Sequence, residues 1–135
     1  LEPLSGYLQL GEKLFKDQKL NGESFNFGPK PEYNHSVKEL LEDMSIRWNF
    51  EKTNDAYQII ENDKFYEASL LKLNCDKALY HFQWKPTLNY SNLIEFTSDW
   101  YYEFYKNKID MFEYTNLQIK KYEKIAITSK QTWTI

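Results

Sequence analysis

Apolar side chains recur at helical spacing from the first residues of the chain, at Leu4, Tyr7, Leu8, Leu14 and Phe15. That period predicts a helix over roughly residues 3–16, with Pro3 at an early position where its missing N–H costs nothing. Residues 17–22 are polar and read as a turn. Ser24–Phe27 alternates and runs into Gly28-Pro29, the pattern of a short strand entering a loop. The loop from Gly28 to His35 is the longest irregular stretch and a natural ligand lip. Ser36-Val-Lys-Glu39 has the spacing of a capping box, so a second helix is expected to start there and bury Val37, Leu40, Leu41, Met44 and Trp48.

Two further strands are expected at Ala56–Glu61 and Leu70–Leu73, and Asn74 is placed to cap a short helix over Cys75–Phe82. Ser91–Lys108 carries the strongest helical stripe, Leu93, Phe96, Trp100 and Phe104. Thr115-Asn-Leu-Gln118 resembles another capping box and would open a last helix through Leu117, Ile119, Tyr122 and Ile125. Residues 128–135 are expected to be extended or frayed. The sum is an α+β, helix-dominated single domain over residues 1–135 with three short strands. So few strands make a poor sheet alone, as in a piece that sits on something larger. A chain that opens at the lip of a helix, with no initiator Met, points the same way.

Composition narrows the chemistry. Eleven Tyr, nine Phe and four Trp supply an aromatic share of 18%, enough for one modest core. The four glycines, Gly6, Gly11, Gly22 and Gly28, form no phosphate-cradling loop. Seventeen basic and twenty acidic residues are interleaved, with net charge −3, so neither nucleic acid nor an anionic membrane is an expected partner. No apolar run is long enough to span a bilayer. One cysteine and two distant histidines exclude a disulfide framework and argue against a structural zinc site. A cytoplasmic, reducing environment is the expectation.

Single residues that suggest catalysis read better as structure. Tyr102 and Lys106 have the Tyr-x-x-x-Lys spacing that lets a lysine lower a phenol pKa. Without a cofactor loop the pair reads as two neighbours on an aromatic-rich helix. His35 and His81 read as solvated or packed side chains, and Cys75 as a small buried one. The aromatics from Trp100 to Tyr105 could stack bases, but their spacing fits a core.

Several segments taken together resemble one family. Leu1-Glu-Pro-Leu-Ser-Gly-Tyr-Leu8, Phe25-Asn-Phe-Gly-Pro29 with Ser36-Val37, and Tyr66-Glu-Ala68 occur in the order found in CDP-glucose 4,6-dehydratases. Leu71-Lys-Leu-Asn-Cys-Asp-Lys-Ala78, Trp84-Lys-Pro86 and Leu117-Gln-Ile119 with Tyr122-Glu123 continue that order. The resemblance implies the C-terminal, nucleotide-sugar-binding portion of an extended short-chain dehydrogenase, a lyase acting in deoxysugar synthesis for bacterial surface polysaccharide such as O-antigen. In the parent enzyme, NAD and the catalytic Tyr/Lys/Thr group belong to an N-terminal Rossmann part. No catalytic residue, metal or bound NAD is therefore expected in this chain, which would be inactive alone. Its implied partners are CDP-glucose and the Rossmann part, with homo-oligomers compatible.

By the same resemblance, the residues holding phosphate and ribose fall on Lys64 and Glu67. Lys64 would act as a point charge, without the bidentate fork of an arginine. The sequence departs from the family at Asn74, where Asp is usual, and at Tyr66, where His is usual. It departs again at His81-Phe-Gln-Trp84, which lacks the family's glycine and implies a different turn before Trp84. These departures leave two alternatives: a related epimerase or dehydratase acting on another nucleotide sugar, and a non-enzymatic helical interaction module. The isolated chain should also expose an apolar patch.

Overall fold

The structure, a computed structural model, describes residues 1–30, 32–52, 55–60 and 72–134. Among the described residues five α-helices form: α1 (Glu2–Lys16), α2 (Val37–Arg47), α3 (Asp76–Phe82), α4 (Tyr90–Tyr102) and α5 (Met111–Thr128). Single turns at Gln18–Leu20 and Thr132–Thr134 and a π-helical turn at Glu103–Asn107 complete it.

No strand forms among the described residues, which overturns the expected α+β class with its three strands. The helix-dominated part of that expectation stands. Ser24–Phe27 is irregular, and the reason is visible in its side chains. Phe25 and Phe27 both pack against Phe82, at ring separations of 5.2 and 5.9 Å. The segment is held by rings, while a strand needs a neighbour to complete its ladder. Asn26 instead donates from its side chain to the Asn74 carbonyl, 3.2 Å away. Residues 57–60 and Lys72–Leu73 are likewise irregular. Glu61, Leu70 and Leu71, the remainder of the other two expected strands, lie outside the described residues.

The core has two centres. Phe27, Ala78, Phe82 and Trp84 form one, with Leu10, Phe25 and Cys75 at its edge. Cys75, expected to be buried, is a partly buried packing residue at the start of α3. Asn74 does assist that helix, its side-chain oxygen accepting from the Asp76 amide at 2.8 Å. Leu88, Phe96 and Tyr122 form the second centre, closed by Ile125 and by Trp133, whose ring stacks on Tyr122. Residues 129–134, expected to be extended or frayed, instead turn back through this stack.

The capping box at Ser36 and Glu39 is present in both directions. The Glu39 amide donates to the Ser36 hydroxyl at 3.2 Å, and the Ser36 amide donates to the Glu39 carboxylate at 2.6 Å. Ser36→Ala should therefore cost about 1 kcal/mol, read as a fall in the urea midpoint at constant slope.

The second expected box is not a cap. α5 begins five residues earlier, where Asp110 accepts from the amides of Phe112 and Glu113. Thr115 and Gln118 face α4 instead. Trp100 donates its indole N–H to the Thr115 hydroxyl at 2.9 Å, and the Gln118 amide donates to the Phe96 carbonyl at 2.8 Å. On the other side of α4, buried Ser45 and Ser98 sit between it and α2. Arg47 grips Asp99 there through two nitrogens, at 2.8 and 2.6 Å, and Trp48 donates to the Ser98 carbonyl.

Leu4, Leu8 and Phe15 of α1 stand 57, 77 and 87% exposed, and Val37, expected in the core, is 74% exposed. No helix among the described residues is long and apolar enough to cross a membrane.

Candidate functional site

The loop marked by sequence as a ligand lip lines a pocket of about 330 Å³. Phe27, Gly28, Pro29, Tyr33 and His35 form one wall; Leu73 and the segment from Pro86 to Tyr90 form the other. Gly28 permits this close wall, because a Cβ there would stand 3.2 Å from a Leu73 methyl. His35 lies flat on the Tyr90 ring, with centroids 3.5 Å apart and planes 12° from parallel. Tyr90 in turn donates its hydroxyl to the Asp43 carboxylate at 2.8 Å. Imidazole, phenol and carboxylate thus form a short chain from the pocket wall into α2.

Desolvation, followed by the bond to Asp43 and that carboxylate's charge, pushes the Tyr90 phenol up to about 12. The folded chain holds this proton more tightly than the unfolded chain does. Its contribution to stability is complete below about pH 10 and is lost as pH rises through about 12. Titration at 295 nm should resolve one tyrosine ionising near 12, and Asp43→Asn should move that step.

The pocket's floor contains Glu2, a residue that spacing could not single out. Its carboxylate accepts from the Thr87 amide and, at 2.7 Å, from the Leu88 amide. Partial burial raises its pKa, while those two amide bonds oppose the rise. The buried hydroxyls of Tyr122 and Thr87 have no hydrogen-bond partner among the described residues. Glu2 therefore ties the start of α1 to the approach of α4, across more than eighty residues of sequence. Among the described lining residues there is no lysine or arginine, so this pocket suits an uncharged or planar group better than a diphosphate.

The other sequence candidates resolve as packing. His81 meets the edge of Phe25 at 5.7 Å. Tyr102 packs edge-on against Trp48, and Lys106 lies in the π-helical turn that follows. Among the described residues no cluster of His, Cys, Asp and Glu could hold a metal ion. Lys64 and Glu67 lie outside the described residues, so their surroundings are not part of this geometry.

Comparison with known proteins gives the class first: the chain is distantly related to nucleotide-sugar dehydratases. Over 87 residues, 64% of its length, it is 33% identical to the CDP-glucose 4,6-dehydratase of Salmonella typhimurium. The matched stretch covers 23% of that enzyme, so the chain spans about a quarter of the relative's length. No family model matches the chain, and no solved structure gives a significant match.

Proposed function

We propose that this chain is the C-terminal, substrate-binding portion of an NAD-dependent CDP-glucose 4,6-dehydratase, which converts CDP-glucose to CDP-4-keto-6-deoxyglucose. The match over 87 residues carries this reading, and the ordered motifs from Leu1 to Glu123 support it. The four glycines offer no dinucleotide cradle, so no residue of this chain is assigned to NAD. That cofactor and the reacting groups would belong to an upstream Rossmann part.

Lys64 and Glu67 are the residues assigned to phosphate and ribose, the lysine supplying charge and the carboxylate accepting from hydroxyls. The pocket beside His35 and Tyr90 has no lysine or arginine among its described lining residues and would line the less charged end of the ligand. A second reading, a dehydratase or epimerase for another nucleotide sugar, is favoured by Asn74 and Tyr66, which depart from the family's usual residues.

Thermal shift of the full-length gene product with CDP-, UDP-, GDP- and dTDP-glucose separates the two. The first reading expects the largest rise with CDP-glucose, lost on Lys64→Ala, because a ligand that binds only the folded state raises its melting temperature. A larger rise with another nucleotide would transfer the assignment to the second reading.

A further inference from the structure

The turn that follows α1 holds the chain's one Asn-Gly pair, Asn21-Gly22. Asn21 has φ −65° and ψ 129°, and Gly22 has φ 82°. The Glu23 amide donates across the pair to the Leu20 carbonyl at 3.1 Å. These values define a type II turn, whose third position takes a positive φ and therefore a glycine. The peptide joining Asn21 to Gly22 lies outside the closing bond. Neither the Gly22 amide nor the Asn21 side chain has a hydrogen-bond partner among the described residues. Both residues are exposed, and a Cβ at Gly22 would meet nothing within 4 Å.

We propose that Asn21 is a self-modification site, converted to isoaspartate by the backbone that follows it. The deprotonated Gly22 nitrogen attacks the Asn21 side-chain carbonyl carbon. A new N–C bond closes a five-membered succinimide, and the side-chain amide leaves as ammonia. One water then opens the ring. Cleavage at the former side-chain carbonyl gives aspartate, whereas cleavage at the main-chain carbonyl gives isoaspartate with an extra carbon in the backbone. In sum, an amide and a water become a carboxylic acid and ammonia, without oxidant or cofactor.

Geometry sets both the choice of residue and the limit on rate. Ring closure needs the Gly22 nitrogen on the same side of the Asn21 Cα–C bond as Cβ, and ψ 129° holds it away. The turn must therefore open first. One backbone bond closes it, and glycine resists the rotation least. Every other asparagine is followed by a residue whose side chain obstructs the approach.

The change falls between two fixed points. Leu20 is buried, and Glu23 is tied to Lys77 of α3 at 2.5 Å. Lys77 in turn lies over the Phe25 ring, 4.9 Å from its centroid. An added backbone carbon removes the type II turn, and the new carboxylate stands two residues from Glu23. The modification therefore loosens the lead of Phe25 and Phe27 into the first core centre. It does not depend on the nucleotide-sugar reading.

Peptide mapping of the full-length gene product, aged for weeks in mildly alkaline buffer, tests this. Trypsin should release residues 20–38 as one peptide, because Pro31 follows Lys30. That peptide should gain the mass that exchanges an amide for an acid and divide into two peaks, isoaspartate the larger. Fragmentation should place the change at Asn21, before any at Asn26 or Asn34. The rate should rise in proportion to hydroxide and should be greater in urea, where the turn is open. Asn21→Gln, which would need a six-membered ring, should lose the product while keeping its far-ultraviolet circular dichroism. An unchanged Asn21, aspartate without isoaspartate, a rate indifferent to pH, or a folded protein reacting as fast as one in urea would each overturn the proposal.

Discussion

Replacing Trp84 with alanine should lower the unfolding free energy by about 3–5 kcal/mol, the range for emptying a large buried aromatic site. Trp84 is 2% exposed and stands at the centre of the first core cluster. Its ring meets the Phe27 ring edge-on at 5.1 Å. Its indole N–H donates to the Ser5 hydroxyl at 3.1 Å, and that hydroxyl donates to the Glu2 carbonyl at 2.8 Å. The side chain therefore joins α1 to the end of α3 by packing and by polar contact together. A domain of this size is stable by about 5–15 kcal/mol, so the loss should leave a substantial unfolded population in mild urea. Trp84→Phe divides the effect, keeping most of the packing while removing a bond worth about 1 kcal/mol. Urea unfolding followed by circular dichroism measures both. A loss under about 1 kcal/mol for the alanine variant would be that of an ordinary surface site, and would contradict this placement.

Gly6→Val should be nearly as damaging, through the opposite defect. Gly6 is buried on α1 where the Phe27 ring crosses the helix, and a Cβ there would overlap three atoms of that ring. The ring has little room to retreat, because Tyr7, Phe82 and Trp84 pack around it. Overpacking a filled core costs about 1–3 kcal/mol, and a β-branched residue at a backbone crossing should fall at the upper end. Gly6→Ala is the sharper comparison. Helix propensity alone would make alanine stabilising by about 1 kcal/mol; the overlap should reverse that sign. Thermal unfolding of the two variants decides it, and a Gly6→Ala chain more stable than wild type would contradict the close crossing.

The helices were the legible part of this fold, because local signals specify them. A period of 3.6 marked α1, and the reciprocal Ser36–Glu39 bonds marked the start of α2. The strands failed for a physical reason. Alternation at Ser24–Phe27 reports two rings pointing at a core, and whether a neighbouring strand exists is not a local property. The Thr115–Gln118 box failed similarly, since both side chains have partners on α4 that outcompete local capping. Asp110, a short acceptor just before the apolar run, was the signal that could have placed the cap.

Some features had no signal in spacing at all. Glu2 reaches amides more than eighty residues away, and no pattern in sequence encodes that meeting. The turn before Trp84 is instructive. No glycine precedes Trp84, and Gln83 itself takes the left-handed conformation, with φ 55° and ψ 27°. Packing of Trp84 and Phe82 holds a backbone shape that glycine would adopt freely. The ligand lip at Gly28–His35 was legible as a long Pro- and Gly-bearing loop. The stack of His35 on Tyr90 was not, because it joins residues that only the folded chain brings together.

Product analysis of the full-length gene product bears most directly on the central claim. Incubated with CDP-glucose and NAD, the protein should form CDP-4-keto-6-deoxyglucose, read by nuclear magnetic resonance as a new C6 methyl signal beside an unchanged cytosine ring. Recovery of unaltered CDP-glucose from a folded, NAD-loaded protein would contradict it.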